Sequence, residues 1–141
     1  MFVYISSDVD KENYFPGNTP TSFRVKLPGR VTFSPQGNWE VALLDIDLPR
    51  PVDKYNSIYI TINSSICKPS PVNAILSPIL NRVYFNQISR GAPVYFDNPR
   101  YVPLGVDGLD IIDIYLTDNT GVYPSFKQGK VNGTLHFRLI T

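Results

Sequence analysis

The chain is poor in the residues that most enzyme sites are built from. Among 141 residues it has one cysteine, one histidine, one tryptophan and one methionine. A lone Cys67 cannot close an intramolecular disulfide, and a lone His136 has no imidazole partner for a zinc site or a serine-histidine pair. Charge is also scarce: Asp, Glu, Lys and Arg make up 18% of the chain, against about 25% in an average domain. Thirteen basic residues against 12 acidic leave a net charge of +1, without the positive field that drives non-specific nucleic-acid binding. No apolar run approaches the roughly 18 residues of a membrane span. The first residues have no basic stretch and meet Asp8 and Asp10 at once, so no secretory signal is expected. There is no G-x-G-x-x-G, P-loop, H-E-x-x-H or G-x-S-x-G pattern. The expectation is a soluble protein of a reducing compartment, without catalytic residues, cofactor, metal, nucleic acid or membrane.

Proline and aromatics are plentiful: 13 prolines, nine tyrosines and eight phenylalanines. With nine glycines as well, breakers recur so regularly that a helix of three turns hardly fits anywhere. Between them lie short period-two stretches. Phe23 to Leu27 sets Phe23, Val25 and Leu27 against Arg24 and Lys26. Ser57 to Ile62 sets Ile58, Ile60 and Ile62 against Tyr59 and Thr61. Thr134 to Leu139 sets Leu135, Phe137 and Leu139 against His136 and Arg138. In Trp39 to Leu48 the apolar phase changes from odd to even near Leu43 and Leu44, which predicts a bulge. Leu109 to Leu116 buries Ile112, Ile114 and Leu116. Shorter candidates are Phe2 to Ile5, Arg30 to Phe33, Arg82 to Asn86, Val94 to Phe96 and Tyr101 to Leu104. Lys68 to Leu80 fits a helical turn or an extended arm. Residues 1–141 therefore read as one all-β domain, a single jelly-roll sandwich of about eight strands. Its core is expected to contain Trp39, Val41, Phe23, Val25, Ile112, Ile114, Leu135 and Phe137.

Asp45 and Asp47 fall on one face of a strand, a spacing compatible with a hydrolase pair or with two solvated surface acids. His136 should lie outward beside Arg138. Cys67, next to Lys68, is either an activated thiol or a small buried hydrophobe, the second being the commoner case. The sequons at Asn63 and Asn132 are idle without secretion. Tyr59, Tyr84 and Tyr115 fall on the polar phase of their strands, offering a protein interface or a stacking platform for carbohydrate.

Several motifs stand in a definite order. Tyr14-Phe15-Pro16-Gly17-Asn18-Thr19-Pro20 is followed by Phe23-Arg24-Val25-Lys26-Leu27-Pro28, then by Gly37 to Ile46 with Leu48-Pro49 and Tyr55-Asn56. Later come Tyr101 to Leu104, Leu109 to Ile114, Thr117-Asp118-Asn119-Thr120-Gly121, Phe126 to Lys130 and Thr134 to Arg138. Together these resemble a virion structural protein encoded by Polinton (Maverick) elements and related adintovirus-like DNA viruses. The likeness covers roughly residues 14 to 56 and 101 to 138, and the family carries a long insertion where this chain has only Ile58 to Phe96. It implies a single jelly roll acting as a minor capsid protein, the penton at five-fold vertices of a virion. Its partners would be itself, as a homopentamer, and the major capsid protein. A carbohydrate- or receptor-binding module, such as a viral spike head, is the alternative.

Overall fold

A computed structural model describes residues 1–8, 15–34, 38–52, 57–63, 66–67, 79–88 and 92–140. The described residues form β1 (Phe2–Ser6), β2 (Ser22–Thr32), β3 (Trp39–Asp47), β4 (Ser57–Ile62), β5 (Ile79–Tyr84), α1 (Phe85–Ile88), β6 (Val94–Tyr95), β7 (Val102–Pro103), β8 (Gly108–Asp118) and β9 (Asn132–Leu139). Lys68 to Pro78, Tyr14, Tyr55, Asn56 and the two serines of the Asn63 sequon lie outside the described residues, so the expectations for them stand as they were.

The strands make two antiparallel sheets. Sheet A runs β1-β9-β3-β6, with β7 also beside β3, and sheet B runs β2-β8-β4-β5. Alternation makes the sandwich: Ile58, Ile60 and Ile62 of β4 and Ile112, Ile114 and Leu116 of β8 are buried on one sheet, Val41, Leu43, Leu135 and Phe137 on the other. All belong to a single apolar cluster. Each such side chain contributes about 1.5–3 kcal/mol when fully removed from water.

The bulge in β3 lies where the phase change puts it. Leu43 pairs with Leu135 but Asp45 with Thr134, so Leu44 is the extra residue. Its carbonyl accepts from the Phe96 amide at 2.9 Å. Without that inserted residue Ile46 would turn to the outer face; with it Ile46 is fully buried.

Leu139, expected inward, is exposed at the end of β9, and Ile79 and Leu80, expected to end a helical turn or arm, open β5; four further expectations need correction. Trp39 and Val25 are half-buried, packed against the core from its rim. Trp39 opens β3 opposite Leu139 at the end of the sandwich, where its indole N–H reaches the Ser34 carbonyl at 3.3 Å; a deeper seat would strand that donor. Phe33, Phe137 and Ile5 are the large buried side chains instead. Second, Phe23 to Leu27 and Arg30 to Phe33 are not two strands: β2 covers the first and reaches Thr32 of the second, running through Pro28-Gly29 with a register shift between Lys26 and Val31. An edge strand tolerates proline because no ladder bond is lost on its open side. Third, the strand expected to reach Asn86 stops at Tyr84, whose amide donates to Gln87 Oε1 at 2.9 Å as α1 begins. Fourth, Tyr101 to Leu104 contributes only the two paired residues of β7. With the two-residue β6, β7 makes an interrupted edge along β3.

Candidate functional site: the outer faces of the two sheets

On sheet B the register decides how the outward tyrosines stand. Tyr115 is opposite Thr61, Tyr59 is opposite Thr117 and Arg82, and Tyr84 is opposite Ser57. The three therefore step diagonally across β8, β4 and β5, each about 7–8 Å in Cα spacing from the next, within reach of long side chains. Tyr84 is exposed while Tyr59 and Tyr115 are half-buried. The Arg82 guanidinium lies 5.0 Å above the Tyr84 ring. Ser57 and then Arg82 also hold the Tyr59 phenol below its ordinary pKa.

Sheet A carries the more exposed aromatics, and the sequence reading passed over them. Phe2, Tyr4 and Tyr95 are 64%, 82% and 71% exposed. Tyr4, Thr134, Asp45 and Tyr95 form one row across four strands. Next to it runs Phe2, His136 and Ala42, then Arg138 and Glu40. The signal was present in the alternation of Phe2 and Tyr4 with Val3 and Ile5, but only the burial of Ile5 shows which phase faces out.

His136 does stand on the outer face beside Arg138, yet it is covered. Phe2 stacks on it at 4.6 Å and 18°, and the Tyr101 hydroxyl lies 2.8 Å from Nδ1. Arg138 sits 3.4 Å over the Tyr101 ring and its Nε is 2.7 Å from Glu40 Oε1. Burial first, then the positive charges of the Met1 amino group and Arg138, hold the His136 pKa below its ordinary value.

The acids are dispersed in their roles. Thr134 donates to Asp45 Oδ1 at 3.2 Å, while Asp47 is exposed opposite Asn132. Among the described residues no three His, Cys, Asp or Glu side chains are grouped to hold a metal. Cys67 is buried, and desolvation pushes its thiol up to about 11, which fits the buried-hydrophobe reading rather than an activated thiol. The Asn132 sequon lies inside β9 with Thr134 buried, so glycan transfer there would require the strand to open.

Two of the ordered motifs have local structural work. In Thr117 to Gly121, Asp118 Oδ1 accepts from the Thr120 amide at 2.8 Å, the Thr120 hydroxyl at 2.7 Å and the Val122 amide at 3.0 Å. Gly121 follows with φ +86°, a left-handed conformation that glycine adopts without steric cost. In Phe126 to Lys130, Phe126 bridges to Pro51 and the Lys127 amide donates to the Arg50 carbonyl at 2.7 Å.

Comparison of the chain with protein-family models and with curated proteins finds no match to either. No helix among the described residues is long and apolar enough to cross a membrane.

Proposed function

We propose that this chain is a virion structural protein, a penton-like minor capsid subunit that associates with copies of itself and with the major capsid protein. The observation that carries the proposal is the chemical difference between the two outer faces. A ring of identical subunits is built head to tail, so each copy must offer two unlike surfaces that fit one another. Face A offers Phe2, Tyr4 and Tyr95 with Asp45 and Asp47 among them; the β4–β5 half of face B offers Tyr59 and Tyr84 around Arg82. Both are aromatic; with Arg138 and Glu40 of face A paired to each other, the further acids Asp45 and Asp47 oppose Arg82 of face B in sign, which favours one face against the other over either against itself.

The strand order supports the same reading. Successive strands β1, β2, β3 and β4 alternate between the sheets, and β9 returns between β1 and β3 while β8 returns between β2 and β4. We read this wrapping as a jelly roll, a fold used by capsid proteins. The motif resemblance at both ends of the chain points to the same class.

Size sets the expected strength. The β4–β5 half of face B is two strands of six residues, about 200 Å² of sheet at about 4.8 Å between strands and about 3.3 Å per residue, so the pair of faces buries less than the roughly 1,000 Å² of a stable specific contact. Rings should then form with concentration or inside a capsid. Light scattering over a concentration series and electron microscopy with a co-expressed major capsid protein test this. Five-copy rings, and density for the chain at five-fold vertices, are the expected result. A chain that stays monomeric at millimolar concentration and is missing from the vertices would defeat the proposal and favour the binding-module reading.

A further inference from the structure

The β2 edge of face B, away from Tyr84, holds a pocket of about 410 Å³ whose lining includes Phe15, Ser22, Arg24, Asp113 and Tyr115. Arg24 and Asp113 are register partners on β2 and β8, and an asparagine occupies the backbone of each. Asn18 Nδ2 donates to the Arg24 carbonyl at 3.0 Å and the Arg24 amide donates to Asn18 Oδ1 at 2.9 Å. The Asp113 amide donates to Asn63 Oδ1 at 3.4 Å, and the Asn63 amide to the Asp113 carbonyl at 3.0 Å. The backbone groups of the pair thus point away from each other. That is the non-hydrogen-bonded arrangement, in which facing side chains come closest.

The side chains meet accordingly. Arg24 Nε lies 2.8 Å from Asp113 Oδ1, but the angle leaves that buried oxygen without a formed hydrogen bond. The guanidinium also lies 5.9 Å from the centre of the Phe15 ring. Asn18 spends its amide on Arg24, and its own amide N–H donates to the Phe15 carbonyl at 3.2 Å, which holds the Phe15 to Asn18 turn against the strand. The result is a cleft lined by an ion pair and by the aromatic side chains of Phe15 and Tyr115.

We propose that this cleft binds a neutral pyranose ring of a glycan. A charged ligand is disfavoured because Arg24 and Asp113 cancel; an anion would have to displace Asp113, and a cation Arg24. A guanidinium beside a carboxylate presents donors and acceptors next to each other. Neighbouring sugar hydroxyls, each both donor and acceptor, match that alternation. Tyr115 and Phe15 supply apolar surface for the ring's C–H face. The volume lies at the low end for small-ligand pockets, room for one or two rings, and the cleft is open to solvent. A ligand of so few atoms binds with a dissociation constant of about 1–10 mM, and many copies on a particle would raise the avidity.

The test is a two-dimensional amide NMR titration of the intact chain with methyl glycosides of galactose, glucose, mannose and N-acetylglucosamine, each to about 50 mM. At least one should give saturable shifts at Ser22, Arg24, Asp113 and Tyr115. Arg24→Gln and Tyr115→Ala should weaken binding about tenfold or more, while Arg100→Ala, in the exposed connection between β6 and β7 on the other sheet, stays within about twofold. Asp113→Asn leaves Arg24 unbalanced and should turn the preference toward N-acetylneuraminic acid. This last result decides the matter if another variant fails to keep the native spectrum. No saturable shift with any of the four glycosides, shifts confined to another part of the chain, or stronger binding of inorganic sulfate by the unaltered protein would each overturn the proposal. None of these readings depends on ring assembly.

Discussion

The ring of Phe2 stacks on His136 at 4.6 Å, joining the first strand to the last through a titratable side chain. His136 is held below its ordinary pKa of 6.5 by burial and nearby positive charge. In the unfolded chain it binds a proton near that value; in the folded chain it does so only at lower pH. Between the two the unfolded state carries more protons, so stability falls as pH drops through about 6.5 and the loss is complete below the folded pKa. Melting curves from about pH 7.5 to about pH 5.5 should show this fall, and His136→Gln should flatten it in that window. Asp118, depressed below 3.8 by its turn hydrogen bonds, adds a separate loss only at much lower pH. A fall of equal size in the His136 variant would assign the effect to other groups.

Cys67 should resist thiol reagents in the native state. Its thiol is buried and raised to about 11, so both access and thiolate are lacking at neutral pH. Labelling with an aromatic disulfide should proceed at the rate of opening and become fast in denaturant. Prompt labelling of the folded chain would contradict the burial.

Phe137→Ala and Trp39→Ala should separate core from rim. Phe137 is fully buried and stacks on Phe33 at 5.5 Å, so its loss should cost about 3–5 kcal/mol. Trp39 meets Phe33 at 5.3 Å from the half-exposed end, and its loss should cost clearly less, about 1–3 kcal/mol. Chemical denaturation of both variants checks the order.

Gly133 has no room to grow. A Cβ there would lie 2.9 Å from the Asp45 carbonyl oxygen and 3.4 Å from Ile5, in the strand between β1 and β3. Gly133→Ala should therefore cost about 1–3 kcal/mol through backbone displacement. An unchanged denaturation midpoint would mean that β9 yields more easily than its two neighbours imply.

If association is head to tail, Tyr4→Lys on face A, set against Arg82, and Tyr84→Asp on face B, set against Asp45 and Asp47, should each stop ring growth when present in every copy. Mixing the two variants should restore one contact and produce a dimer only, since each retains the face the other lacks. Light scattering of the separate and mixed samples distinguishes this from a twofold contact, in which mixing restores nothing. Larger rings in the mixture would count against the proposed faces.

Local chemistry is what the sequence alone determined. The alternation in Ser57 to Ile62 and Leu109 to Leu116 sorted inside from outside because a strand's side chains alternate by geometry. The phase change at Leu43 and Leu44 located a bulge for the same reason. The outward phase of Tyr59, Tyr84 and Tyr115 was legible, but their diagonal was not, because register depends on which strands meet and on bulges in both partners. Tertiary structure also decided that Trp39 sits at the rim, where its N–H finds the Ser34 carbonyl. It let β2 pass through Pro28, since only an edge strand can spare that amide. Arg24 and Asp113 lie 89 positions apart in the chain, and only the pairing of β2 with β8 brings them into one cleft. Phe2 and His136 meet for the same physical reason: non-local strand pairing chooses among many compatible partners by burying the whole sandwich at once.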